Sequence, residues 1–297
     1  MRMIVIVGLL GVLCIQAAPT PSVARDDSKS VTYEEQGSQQ TFFPEKSTQN
    51  VTSNLRTDSY CPLGWKAPWQ VGLLLLTPNH TSKERMCGGV LVHKRWVLTA
   101  ASCVENTSMK LALVGSNQYL GGFLGKQGQV IVVDDAIIHE GYGQHQPPQH
   151  DIALLHLSED AVLGSKVATA RIPNRNSALL RDGTLMVITG WGRNPTKPIN
   201  EENLHCMQVP LVSRQECEQA YGLFGKKIRI SHLCSGGVGA CNGDGGGGLV
   251  HVGFAGRNTV MGIISWSLSC GGHYTVHTNV ERHRPWLLRN VPELVVG

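Results

Sequence analysis

From Cys61 onward the apolar residues arrive in short runs divided by Gly, Asn and Pro: Val71–Leu76, Val90–Val92, Trp96–Leu98, Leu111–Val114, Val130–Val133, Ile152–Leu157, Leu185–Thr189 and Val260–Trp266. Runs of this length, bounded by turn residues, read as strands of an all-β sandwich or a pair of barrels. Apolar residues make up 41% of the chain and charged residues 16%, enough apolar material for a real core. Two segments depart from the strand texture. Ser213-Arg-Gln-Glu216 is a capping box that opens a helix to about Tyr221. The tail from about Glu281 to Asn290 has helical composition, with Pro285 tolerable only near its first turn. No internal repeat of solenoid type occurs.

The N-terminus indicates a compartment. Arg2 is followed by an almost wholly apolar stretch, Met3 to Ile15, and then by the small residues Ala17 and Ala18. This is the pattern of a signal peptide over residues 1–18. As a helix the stretch would span only about 20 Å, against roughly 30 Å for a bilayer core. No later run is long and apolar enough for a membrane span, so the expected protein is secreted and soluble. Residues 19–54 are rich in Ser, Thr, Gln and charge. They cannot bury enough surface to offset chain entropy and read as a disordered, propeptide-like leader. Residues 55–297 form the folded domain.

Cysteine usage agrees with secretion. The chain has nine cysteines; Cys14 leaves with the signal peptide, and eight remain. An even count in a secreted chain suggests disulfides, with the pairing left open by sequence alone. Asn50, Asn79 and Asn106 head glycosylation triplets. No Cys/His array has metal-ligand spacing, so no metal and no cofactor are expected. The net charge of +4 is too weak to argue for nucleic acid.

Five blocks carry chemistry. Cys87-Gly-Gly-Val-Leu-Val, followed by Trp96-Val-Leu-Thr-Ala-Ala-Ser-Cys103, resembles the stretch that delivers the catalytic histidine of trypsin- and kallikrein-like serine proteases. His150-Asp151-Ile-Ala-Leu-Leu-His-Leu157 resembles the strand bearing their catalytic aspartate. Gly190-Trp-Gly192 resembles their turn into the second barrel, and Cys241-Asn-Gly-Asp-Gly-Gly-Gly-Gly-Leu-Val250 their nucleophile loop. Ile263-Ile-Ser-Trp266 resembles the strand that pairs with substrate backbone. The blocks occur in family order across Cys61 to Gly297. The resemblance implies an all-β fold of two packed six-stranded antiparallel β-barrels, with a short intermediate helix, a C-terminal helix and the site in the cleft between the barrels. It also implies the pairings Cys61–Cys206, Cys87–Cys103, Cys217–Cys234 and Cys241–Cys270.

The chemistry needs a hydroxyl nucleophile, an imidazole to take its proton, and a carboxylate to orient the imidazole. By this resemblance the imidazole position is Ser102, the nucleophile position Gly245, and only Asp151 is retained. Glycine offers no atom to attack a carbonyl, and serine is no base near neutral pH. His139, His145 and His150 lie nearby in sequence, but His150 and Asp151, as strand neighbours, should point to opposite faces. Asp151 is then expected to bond Ser102. Gly243 keeps the backbone position of an oxyanion hole. Active members are switched on by an Ile-Val-Gly-Gly segment whose new amine reaches a buried aspartate. This chain has Asp244 as the receiver but Leu55-Arg-Thr-Asp58 as the segment, so Asp244 is expected to bond backbone or water. The run Gly245–Gly248 is expected to be loose. Gly239 replaces the acidic pocket floor of trypsin-like enzymes, and Ser267 and Thr275, in place of wall glycines, are expected to narrow or fill the pocket.

The resulting expectation is a secreted, glycosylated, non-catalytic serine protease homologue that binds an extracellular protein partner or competes with an active protease. The same double replacement occurs in azurocidin, an antimicrobial, heparin-binding member of this family. That similarity raises a second reading, binding of a sulfated polysaccharide or a microbial surface through Lys226, Lys227, Arg229, Arg282, Arg284 and Arg289. Residual serine-type hydrolysis is the third.

Overall fold

The computed structural model describes residues 67–76, 85–143, 145–177, 179–193, 202–237, 239–270 and 274–296. Twelve strands form two closed barrels of six, all paired antiparallel. The first barrel holds β1 (Gln70–Leu76), β2 (Arg85–His93), β3 (Trp96–Thr99), β4 (Met109–Val114), β5 (Gln129–Ile138) and β6 (Ala153–Leu157). The second holds β7 (Leu185–Gly190), β8 (His205–Val212), β9 (His232–Ser235), β10 (Gly248–His251), β11 (Thr259–Trp266) and β12 (Thr275–Asn279). Closure removes free sheet edges, which suits a chain built from short strands.

Every apolar run of the sequence lies on one of these strands. Val71, Leu73 and Leu75 of β1 are buried, as are Val90 to Val92 of β2 and Leu154, Leu155 and Leu157 of β6. They pack into one core with Trp69 and Ile131. The second barrel is filled by Met186, Ile188, Val209, Leu211, Leu249, Met261 and Ile264. Each such fully buried side chain contributes roughly 1.5–3 kcal/mol relative to exposure. The barrels meet backbone to backbone. The Gly88 N–H donates to the Gly245 carbonyl at 2.8 Å. A Cβ on Gly88 would lie 2.8 Å from Cα of Gly247, so a glycine is required at this approach.

Among the described residues four α-helices accompany the barrels: α1 (Ala101–Val104), α2 (Tyr119–Phe123), α3 (Arg214–Gly222) and α4 (Val280–Asn290). The Ser213 hydroxyl accepts from the Glu216 N–H at 3.0 Å and caps α3. The Glu216 carboxylate does not close the box; it accepts from the Tyr274 hydroxyl. Asn279 caps α4, whose Trp286 and Leu287 join the buried cluster that the first barrel shares with Val250, Val260 and Ile263 of the second. Pro285 stands in the second turn of α4, not the first as expected. It is exposed, so the carbonyl that loses its intrahelical partner there lies on the solvent side.

Candidate active site

β3 hands the chain to α1, which sets Ser102 at the mouth of the first barrel; the Cys87–Cys103 disulfide ties α1 to β2. Asp151, just before β6, is 1% exposed. Its Oδ1 accepts from the Ser102 N–H at 2.7 Å, and its Oδ2 from the Ser102 hydroxyl at 3.0 Å and the Ser265 hydroxyl at 2.5 Å. The expected Ser102–Asp151 bond is therefore present. Burial pushes the Asp151 carboxyl above the usual range, opposed by the bonds from Ser265 and Ser102. His150 does not turn toward this group. Its backbone is left-handed, φ 53°, and its Nδ1 lies 2.9 Å from Nε2 of His283. His150 and Asp151 precede β6, so the backbone twist at His150, rather than strand alternation, separates the two side chains. His145 is exposed.

The loop before β10 carries Gly243, Asp244 and Gly245. Gly243 has φ 100°, and a Cβ there would lie 2.9 Å from Cε of Met86. Only glycine fits that turn comfortably. Asp244 is buried, with Oδ1 accepting from the Gly192 N–H at 2.9 Å and Oδ2 from the Cys241 N–H at 3.0 Å. Burial raises its carboxyl; the bonds from Cys241 and Gly192 oppose the rise. A Cβ on Gly190 or Gly192 would run into the Asp244 carboxylate, so the Gly-Trp-Gly turn makes room for this acid. Residues Leu55 to Asp58 lie outside the described residues. Asp244 is thus bonded to backbone, as expected.

The four-glycine run is tied down, against the expected looseness. The Gly245 carbonyl accepts from Gly88, the Gly246 N–H donates to Ile264, and Gly247 exchanges bonds with Asp244 and Ile264. Gly248 opens β10. Gly246 has φ 80°, with Gly88 O 2.6 Å from where a Cβ would sit; Gly248 would meet Cγ2 of Val90 at 2.5 Å. Gly245 alone of the four faces open space, its nearest neighbour being Sγ of Cys103 at 4.0 Å.

A cleft of about 860 Å³ joins these elements, lined by Ser102, Gly243, Gly245, Ser265, Trp266 and Arg85 among others. Ser267 and Thr275 line it rather than fill it. The Thr275 hydroxyl turns to accept from the Ala240 N–H at 2.8 Å, and the Ser267 hydroxyl donates to the Ser269 carbonyl at 3.2 Å. Gly239 is buried, and its neighbour Ala240 lines the cleft. Cys241–Cys270 borders the same wall, and Cys217–Cys234 braces α3 against β9. Cys206 is disulfide-bonded, while Cys61 lies outside the described residues.

The family model described as Trypsin matches residues 58–287. The chain belongs to the trypsin family. It is 32% identical to trypsin 5G1 of Aedes aegypti over 228 residues, covering 75% of this chain and 79% of the relative. It is 34% identical to human kallikrein-7 over 228 residues, covering 74% and 81%. Against vitamin K-dependent protein C of Oryctolagus cuniculus it is 31% identical over 241 residues, covering 76% of this chain and only 50% of that protein.

In this trypsin-family chain the sequence located Ser102, Asp151, Gly243, Asp244 and Gly245, and the structure brings all five to one cleft or its walls. Two contributors were missed. Ser265 was read only as part of a strand, although its hydroxyl is a third donor to Asp151. Arg85, the one charged residue lining the cleft among those described, donates from Nη1 to the Ser102 carbonyl at 2.7 Å. Its position two residues before Cys87 was the available signal. Among the other sequence-flagged cations, Arg289 is paired with Glu140 at 2.7 Å and Lys226 is half-buried, while Lys227, Arg229 and Arg282 are exposed. Asn106 is exposed in a left-handed turn; Asn50 and Asn79 lie outside the described residues.

Proposed function

We propose that this protein is a secreted, non-catalytic serine protease homologue that holds an extracellular polypeptide in its cleft without cutting it. The observation that carries this reading is the pair Ser102 and Gly245. The carboxylate that would orient an imidazole is bonded by Ser102 and Ser265 instead. Among the described residues no histidine lines the cleft, and Cys103, whose Sγ is the nearest atom beyond the chain neighbours to a Cβ at Gly245, is in a disulfide. A hydroxyl with no base beside it is a poor nucleophile near neutral pH. The cleft itself stays open, with Trp266 and several hydroxyls on its walls, as binding without turnover requires. The signal peptide at 1–18, the leader at 19–54, the Cys61–Cys206 bridge and glycosylation at Asn50, Asn79 and Asn106 belong to the same reading.

A second reading, binding of a sulfated polysaccharide, draws support from one feature. Arg175, Arg282 and Arg284 line a hollow of about 210 Å³, although Glu281 shares it. The two readings separate in one experiment. A displayed library of extended peptides is panned on the protein, with sulfated polysaccharide as competitor. The cleft reading expects peptides recovered intact, binding abolished by Ser267→Trp, and no displacement by the polysaccharide. Cleaved peptides, or binding indifferent to Ser267→Trp, would contradict it.

A further inference from the structure

Three histidines from distant parts of the sequence meet outside the cleft. His139 follows β5, His150 precedes β6, and His283 lies in α4. One ring nitrogen from each lies within 4.8 Å of the others. His150 Nδ1 and His283 Nε2 are 2.9 Å apart, with the rings crossed at 77°. His283 Nδ1 lies 2.7 Å from the Asn279 carbonyl. A carbonyl only accepts, so His283 Nδ1 carries the hydrogen and Nε2 the lone pair. The contact between the rings therefore runs from His150 Nδ1–H to His283 Nε2. A single hydrogen sits between two nitrogens that can face one centre.

We infer that His139, His150 and His283 form a binding site for a zinc ion. The ion takes the place of the bridging hydrogen. His150 moves that hydrogen from Nδ1 to its Nε2, both rings stay neutral, and no proton is released. His283 is the fixed ligand. It is 3% exposed and oriented by the Asn279 carbonyl, the arrangement usual for a metal-bound histidine. The left-handed backbone at His150 aims its ring at α4. His139 is half-buried and stacked on His150, with ring planes 6° apart. Parallel rings cannot direct in-plane lone pairs at one ion. His139 therefore joins by turning out of the stack, giving up the bond its Nδ1 accepts from the Gly141 N–H at 3.0 Å. Three imidazoles and one water make a tetrahedral nitrogen-rich set, which suits zinc better than magnesium or calcium. The Arg289–Glu140 ion pair, at 2.7 Å, and the His139–Trp286 ring contact already join α4 to the segment from His139 to His150, and the ion reinforces that junction.

The test is a calorimetric titration of zinc into the untagged full chain at neutral pH in a non-chelating buffer, paired with cobalt as an absorbing substitute. The expected result is one ion per chain, a cobalt ligand-field band in the visible, and a higher thermal midpoint with excess zinc. His139→Ala and His150→Asn should each weaken binding at least about tenfold. His145→Ala, an exposed histidine of the same segment, should leave it unchanged. If His150→Asn fails to fold, His139→Ala reads the same loss. No binding by the parent protein, or equal binding by the parent and His139→Ala, overturns the site.

Discussion

The Ser102 hydroxyl donates to Oδ2 of Asp151 at 3.0 Å while the Ser102 N–H donates to Oδ1 at 2.7 Å. The carboxylate that in a working triad holds an imidazole is thereby occupied by a side chain too short and too weakly basic to reach a nucleophile. Restoring the nucleophile alone should then recover nothing. A serine fits at Gly245, because a Cβ there meets no atom closer than 4.0 Å. Gly245→Ser should fold normally and hydrolyse peptide esters within about twofold of background, since triad members act as a unit. Ser102→His should do the same. Steady-state assays of the two single variants check this, and turnover by Gly245→Ser alone would show that a base exists elsewhere.

The four glycines from 245 to 248 differ in what they tolerate. Gly245→Ala adds a methyl group to open space and should shift stability by less than about 0.5 kcal/mol. Gly246→Ala forces alanine to φ 80° and drives its Cβ toward Gly88 O and Thr99. That combination of backbone strain and overlap should cost at least about 2 kcal/mol. Urea unfolding of the two variants separates them, and equal midpoints would mean that the loop relaxes freely.

Much of this was legible because hydrophobic runs mark strands: every run singled out lies on one, although Val130 and Val132 of β5 are exposed. The strands that escaped are those whose buried residues are polar or interrupted. β12 reads Thr-Val-His-Thr-Asn, yet all five residues are buried. Several of its polar groups bond distant partners, as when Thr278 donates to the Asp151 carbonyl at 2.8 Å and Ser235 contacts His277 Nε2 at 2.8 Å, while His277 Nδ1 is buried without a partner among the described residues. Hydropathy cannot see such partners. β8 contains Pro210, which argues against a strand from sequence. The histidine cluster escaped because its members are separated by whole elements. The direction of the Thr275 hydroxyl, turned to the Ala240 backbone, is likewise something no sequence prints.

Histidine burial predicts acid sensitivity. Burial alone lowers His277 from its ordinary value to about 3, and burial is the main cause that lowers His283 to about 4. An unfolded histidine titrates near 6.5, so between that value and the folded one the unfolded chain binds more protons. The stability these neutral residues carry is complete above about pH 6.5 and is lost as the pH falls toward 4. The raised carboxyls of Asp151 and Asp244 act oppositely, over a window that opens near pH 4 and runs upward into the same range. Compared with the parent, His277→Gln should therefore lose less of its thermal midpoint between neutrality and about pH 4.5, because the carboxyls act equally in both proteins. An unchanged slope in the variant would remove His277 from the account.

Asp244 already accepts two backbone N–H bonds, from Gly192 and Cys241. Cleavage after Arg56 would expose Thr57 rather than the glycine-containing segment that inserts in active relatives. Light trypsin treatment at that site should leave the thermal midpoint unchanged. Formation of a buried ion pair would instead raise it by several degrees for a domain of this size. A clear rise with Thr57 as the new N-terminus would show that Asp244 still receives an amine.

The most direct measurement is labelling of the purified protein, with and without residues 19–54, by a fluorophosphonate that reacts with activated serines. Ser102, Ser265, Ser267 and Ser269 all line the cleft, yet none has an imidazole among the described residues lining it. The account predicts no labelling above that of heat-denatured protein under conditions that label an active trypsin completely. Stoichiometric labelling of one serine in the cleft would contradict it.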